Sequence, residues 1–91
     1  MNLDVNEVKL VIDRMRDKFD AHDFIRIFAM THPQEYWQYL LEHKDIHSAH
    51  SQIGRFLSDH AEELGISQRE NVLSLNIYND KTECSSWRRN K

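Results

Sequence analysis

The segment HSAHSQIGRFLSDHAEELGI, residues 47 to 66, decides the fold, because an apolar stripe at helical spacing follows it from end to end. That stripe consists of Ile46, Ala49, Ile53, Leu57, His60 and Leu64. The spacing predicts a helix over residues 47–64, with Gly65 as its C-terminal stop and His60 as a hydrogen-bonded core histidine. The front half of the polar face is uncharged apart from Arg55, whereas the back half is acidic. We expect the front end to approach an anion and the back end to stay away from it.

Three further helices are expected before this segment. The first is an amphipathic helix over residues 4–18, because apolar residues recur there at intervals of three and four. A second helix over 21–31 has Asp20 as a plausible N-cap and Asp23 in its first turn. A third helix over 33–43 begins with Pro33, a residue suited to the first helical position, after His32 as a cap. The chain therefore begins as a helical domain.

The periodicity changes after the fourth helix. Leu73, Leu75 and Ile77 alternate with polar residues and Tyr78, which predicts a half-buried strand. The turn residues NDKT and the segment ECSSW then predict a hairpin over residues 72–88. The fold class is therefore mainly α with a C-terminal β-hairpin, an α+β single domain over residues 1–91. The predicted core, with Trp87 packing the hairpin onto the helices, is Val8, Ile12, Met15, Phe24, Phe28, Tyr36, Leu40, Ile53, Leu57, Leu64, Leu75 and Ile77.

Composition narrows the class of protein. A chain of 91 residues has room for one modest core, and 40% hydrophobic with 30% charged residues is typical of a globular protein. Its net charge of −3 argues against a surface that is basic everywhere, although residues 65–91 are net basic. The N-terminus lacks the pattern of a secretion signal, no apolar run is long enough to span a membrane, and Cys84 is the only cysteine. We expect a cytoplasmic protein without an internal disulfide.

The order of elements resembles a winged helix-turn-helix domain. The motif QIGRFLSDHAEELGI, followed about twenty residues later by SSWRR, is similar to the recognition-helix and wing segments of small bacterial and phage winged-helix modules. HDFI, YWQYLL and IGRFL also resemble segments of a family of short bacterial proteins. The resemblance covers about residues 20–89 and implies the fold more strongly than the function. The acidity of this chain departs from the broader basic surface of DNA-binding relatives.

The resemblance implies a small DNA-binding regulator of transcription or replication that binds double-stranded DNA. Helix 47–64 would enter the major groove, where Arg55 can bind guanine and Gln52 can bind adenine, each through two hydrogen bonds. Ser48 and Ser51 would bind phosphates or bases near the positive end of the helix dipole. The hairpin would act as a wing that holds the DNA backbone through Lys81, Arg88 and Arg89.

The alternative is a protein-interaction adaptor or inhibitor on the same fold, whose acidic surface engages a basic partner. A solvated polar helix face fits this interpretation as well as it fits DNA binding. We also expect a homodimer, because winged-helix proteins often bind DNA as dimers and the exposed edge formed by Trp37, Tyr39 and Leu41 is more apolar than a monomer requires.

The sequence patterns that would indicate metal binding or catalysis are weaker than those that indicate DNA or protein binding. His43, His47 and His50 would meet on one uninterrupted helix and could then hold zinc or nickel, but Lys44 and Asp45 indicate a break between two helices. The pair His22–Asp23 matches a metal phosphohydrolase dyad in two letters only. There is no glycine-rich phosphate loop and no recognisable nucleophile motif. We therefore predict no metal site, no cofactor and no enzymatic activity.

Overall fold

The computed structural model describes residues 3–43, 45–77 and 79–90, apart from the side chain of residue 47. Its elements are α1 (Val5–Asp13), β1 (Lys18–Asp20), α2 (Ala21–Thr31), α3 (Pro33–Leu41), α4 (Ile46–Asp59), α5 (Ala61–Leu64), β2 (Ile66–Leu75) and β3 (Lys81–Arg89). The strands form an antiparallel sheet in the order β1-β3-β2. The α+β class is confirmed, but the sheet is not only C-terminal, because β1 comes from the first quarter of the chain.

The first helix is shorter than the sequence predicted. It ends at Asp13 instead of residue 18, and residues 18–20 form β1, in which Phe19 pairs with Trp87 of β3. Phe19 and Trp87 are both buried. The spacing of Phe19 after Met15 fits a helical stripe, but its side chain reaches the core from a strand, and a sequence pattern cannot distinguish the two for so short a segment.

The second and third helices agree closely with the prediction. α2 begins after a capping box, in which Asp20 Oδ1 accepts a hydrogen bond from the Asp23 backbone N–H at 2.8 Å. α3 has Pro33 in its first turn and ends at Leu41, two residues before the predicted end. His32 stands at the N-cap position of α3, but its side chain makes no capping hydrogen bond.

The predicted fourth helix is divided in two. α4 begins at Ile46, and α5 is a single four-residue turn after a break at His60. Gly65 ends α5 in the left-handed region with φ of 71°, as the stop signal predicted. His60 lies partly exposed at the break, and its Nδ1 is 3.0 Å from Glu63 Oε1. The prediction that His60 is a core residue is therefore wrong.

The hairpin is longer than predicted, because β2 starts at Ile66 rather than at residue 72. Gln68 pairs with Trp87, yet Asn71 pairs with Ser85, so β2 contains a bulge between these positions. The outer half then continues to Leu75, which pairs with Lys81. Tyr78, which the sequence predicted to alternate in this strand, lies outside the described residues.

The core lies between the helices and the base of the sheet. Most of the predicted core is confirmed as buried, namely Val8, Ile12, Phe24, Phe28, Tyr36, Ile53, Leu57, Leu64 and Trp87. Met15 and Leu40 are partly buried against that cluster. Leu75 and Ile77 were predicted wrongly, since 42% and 37% of their surfaces are exposed. The outer half of the hairpin is therefore exposed at these two positions.

Candidate functional surfaces

The polar face of α4 borders a groove of about 540 Å³ that lies between this helix and the hairpin. Ser51, Arg55 and Ser58 line the helix side, and Thr82 and Glu83 are among the lining residues of β3. Arg55 is mostly exposed, but its Nε is 3.8 Å from Asp59 Oδ2, one helical turn later. Such an exposed pair is weak, so Arg55 remains able to reach a ligand at little cost.

Gln52 and Ser48 are not among the residues that line the groove beside the hairpin, whereas Ser51 and Arg55 are. Gln52 is exposed beside a second depression that Tyr39 and Phe56 also line. The Ser48 backbone N–H donates a hydrogen bond of 2.7 Å to Asp45 Oδ1, the N-cap of α4. The front end of α4 therefore already has a carboxylate of its own at the position where a phosphate would bind.

The three predicted wing cations do not lie together. Lys81 and Arg89 are the first and last residues of the nine-residue strand β3, and an extended strand of that length spans about 26 Å. Arg88 is exposed, whereas the adjacent Trp87 is buried. Because successive side chains of a strand point to opposite faces, Arg88 points to the face opposite that of Trp87. Lys81 thus lies at the tip of the hairpin and the two arginines at its base.

At the base of the hairpin a concave surface of about 470 Å³ has no acidic side chain among its lining residues. We call it the arginine end, and it is lined by Ser67, Arg69, Arg88, Arg89 and Asn90. Lys18 of β1 pairs with Arg88 and adds a further cation beside it. Sequence reasoning missed Arg69 and Lys18, because they come from other strands and only the register brings them to Arg88.

A group of three potential ligands lies where α2 passes the middle of β3. One donor atom each from Asp20, His22 and Cys84 lies within 4.8 Å of the other two. His22 Nδ1 is also 2.6 Å from Ser74 Oγ, and His22 Nε2 is 3.2 Å from Thr82 Oγ1. The sequence assigned no partner to Cys84, because the residues that surround it are remote along the chain.

The predicted break within the His43, His47 and His50 series is confirmed, since α3 ends at Leu41 and α4 begins at Ile46. The Nδ1 atom of His43 is 2.7 Å from the carbonyl oxygen of Tyr39, and His50 Nε2 is 2.6 Å from the hydroxyl of Tyr36. The side chain of His47 lies outside the described residues. Tyr39 was predicted to be exposed but is buried, and this burial raises the pKa of its phenol.

No protein-family model, no curated protein and no solved structure matches this chain. Among the described residues, no helix is both long enough and apolar enough to cross a membrane. The features of the chain that bear on its function are the α4 groove, the arginine end and the cluster around Cys84.

Proposed function

We propose that this chain is a small DNA-binding module of the winged helix-turn-helix kind, a cytoplasmic regulator of transcription or replication. The observation that carries the proposal is the arginine end, where Arg69, Arg88 and Arg89 line one concave surface without an acidic neighbour in that lining. Arginine binds phosphate oxygens through a fork of parallel hydrogen bonds. Cations that neutralise phosphates supply most of the affinity in nonspecific DNA binding.

The hairpin that follows α4 and α5 supports the winged-helix part of the proposal. Arg55 and Gln52 on the exposed side of α4 are the groups that would contact base edges, with Ser51 beside them. The carboxylates near both ends of α4 make this helix a poor phosphate ligand by itself. In our proposal the arginine end therefore holds the DNA backbone, and α4 contributes selectivity.

The test is a fluorescence-polarisation titration with random duplex DNA at low and moderate salt. We expect Arg69→Ala and Arg88→Ala to weaken binding to all sequences alike, each lowering the salt slope by about one. Lys9→Ala is the charge-matched control, because Lys9 is exposed on α1 away from the arginine end. An absence of binding at tens of micromolar protein in low salt, or an equal loss in the control, would contradict the proposal.

Sequence preference requires a separate measurement with a selected duplex. There, Arg55→Ala should weaken specific binding by about 1–3 kcal/mol and relax the choice of base at one position. Asp59→Asn is its control, since it removes the carboxylate that faces Arg55 while leaving the arginine in place. If the Arg55→Ala protein kept the same DNA sequence preference, α4 would not be the element that recognises the bases.

A protein-interaction adaptor is the second candidate, and the exposed apolar side of α3 favours it. Trp37 and Leu41, one helical turn apart, are 63% and 78% exposed. Asp59, Glu62 and Glu63 are also exposed and could attract a basic partner. Binding of an arginine-rich peptide that Glu62→Gln weakens, together with no DNA binding, would favour this candidate.

We also propose that the chain forms a homodimer through the Trp37 and Leu41 side of α3. Exposed apolar side chains on one helix face are typical of protein interfaces. Light scattering should report a dimer at high micromolar concentration, and Trp37→Gln should shift the population towards monomer. A monomeric wild-type protein under these conditions would contradict the proposal.

A further inference from the structure

The cluster of Asp20, His22 and Cys84 combines the three side-chain types that most often bind zinc in proteins. Asp20 ends β1, His22 lies in the first turn of α2, and Cys84 lies in the middle of β3. One carboxylate oxygen, one ring nitrogen and one thiol sulfur lie within 4.8 Å of one another. We propose that these residues bind a divalent ion of the zinc class, with a fourth coordination position left for water or another ligand.

The sheet register explains why the carboxylate and the thiol meet. Asp20 pairs with Ser86. Cys84 lies two residues before Ser86 in β3 and therefore on the same face of the sheet. Beyond Asp20 the chain turns into α2, which runs beside β3. Arg26 of α2 also donates hydrogen bonds through Nη2 to the carbonyl oxygens of Leu75 and Asn76, at the end of β2, at 2.6 and 3.0 Å. The ligands thus come from β1, α2 and β3, three elements that the fold already holds together.

The hydroxyl groups around His22 suit a metal-bound imidazole. A neutral imidazole donates from one nitrogen only, so an Nε2–H that donates to Thr82 Oγ1 leaves the lone pair of Nδ1 available. The Ser74 hydroxyl now lies 2.6 Å from that Nδ1 and 3.6 Å from Cys84 Sγ, between two of the proposed ligand atoms. An ion would take the place of the Ser74 contact at Nδ1, and Thr82 would keep the ring oriented.

Asp20 is already oriented by its role as N-cap. Its Oδ1 accepts the Asp23 backbone N–H, and the Asp20 backbone N–H donates to Asp23 Oδ2 at 3.2 Å. With Oδ1 engaged in the cap, the carboxylate has a second oxygen to offer to the ion. His22 and Cys84 also line the groove beside α4, so the ion and its fourth ligand would be accessible from solvent.

Binding would convert the Cys84 thiol into a thiolate bonded to the ion and release its proton to solvent. The affinity should therefore fall as the pH is lowered. Because the ligands come from β1, α2 and β3, an ion that binds only the folded chain would also raise the thermal midpoint. The site is independent of the DNA-binding proposal, and it can be tested without DNA.

The test uses the full chain under a metal-free reductant, titrated with Co²⁺ and then with Zn²⁺. We expect one equivalent of Co²⁺ to produce a thiolate-to-cobalt charge-transfer band that Zn²⁺ abolishes by displacement. Cys84→Ser should remove this band and weaken Zn²⁺ binding by at least about tenfold, since even the loss of an outer-shell partner typically costs that much. His60→Gln is the matched control, because His60 lies next to a carboxylate, Glu63, but belongs to another part of the surface.

Asp20→Asn separates ligation from folding, since asparagine is as good an N-cap as aspartate. Its circular dichroism should match that of the wild type while its Zn²⁺ affinity falls. Wild-type protein that gives no charge-transfer band when Co²⁺ is added in excess over the protein would overturn the proposal. A band that survives Cys84→Ser, or that His60→Gln removes, would overturn it as well.

Discussion

Both halves of the hairpin contain apolar residues, but the surroundings of these residues differ. At its base, Trp87 is 1% exposed and pairs with Phe19 and Gln68. In the outer half, Leu73 pairs with Glu83 on the same face of β3 as Trp87, yet 72% of its surface is exposed. An apolar residue in alternation therefore indicates a strand, but it is buried only where another element covers that face.

The bulge between Gln68 and Asn71 determines which side chains of the outer half lie on the same face as Trp87. Without it, the pairing of Gln68 with Trp87 would continue so that Val72 lay opposite Glu83. The extra residue shifts the register by one, which moves Leu73 and Leu75 to the face of Trp87 and Val72 to the face of Cys84. This register also places Ser74 beside His22. The base of the hairpin thus stabilises the fold, and its outer half presents side chains to solvent and to α2.

The largest expected effect is at the base of the hairpin. Trp87→Ala should lower the free energy of unfolding by about 3–5 kcal/mol, because it removes a large side chain from a covered position. Leu73→Ala in the outer half should change it by less than about 0.5 kcal/mol. Urea unfolding of both variants measures the difference. Similar losses would show that the outer half is also packed in solution.

The helices that cover the base should give the next largest effect. Leu57 of α4 is fully buried, so Leu57→Ala should cost about 2–5 kcal/mol in the free energy of unfolding. Leu41→Ala is the control for the same substitution on an exposed helix position. Thermal or urea unfolding can measure both, and a loss below about 0.5 kcal/mol for Leu57→Ala would place this residue at the surface.

DNA binding should also distinguish the two ends of β3. Under our proposal, Arg88→Ala at the base should weaken binding to random duplex more than Lys81→Ala at the tip, because Arg69 and Arg89 lie beside Arg88. The measurement is the salt dependence of affinity for each variant. An equal loss at both ends would support the original wing hypothesis, in which Lys81, Arg88 and Arg89 all contact the backbone.

The smallest expected effect is on the pH dependence of stability, and it should differ between the buried Tyr39 and the exposed Trp37 of α3. Burial raises the pKa of Tyr39 above its ordinary value of 10.0, so the unfolded chain loses this proton first. The stability that this group contributes is complete below pH 10 and is lost as the pH rises through the higher pKa of the folded state. Urea midpoints measured from about pH 9 to 11 should fall less steeply for Tyr39→Phe than for the wild type. Trp37→Phe should not change this slope.

The sequence by itself determined the helices with strong local signals. The capping box of Asp20 and Asp23, Pro33 at the start of α3 and Gly65 at the end of α5 act within one turn, so they operate in the same way in any fold. The apolar stripe of α4 likewise identified Ile53 and Leu57 as buried. These properties depend on neighbours along the chain.

The surfaces that the helices and strands form together depend on the tertiary structure alone. β1 forms because Phe19 pairs with Trp87, 68 positions further along by sequence number, and the same pairing brings Lys18 beside Arg88 of the arginine end. The bulge in β2 determines that Leu73 and Leu75 lie on the face of Trp87, and the pairing of β1 with β3 places Asp20 on the same face as Cys84. The strand register and the burial of a strand face depend on chain segments that are far apart in sequence. Local periodicity therefore cannot predict them.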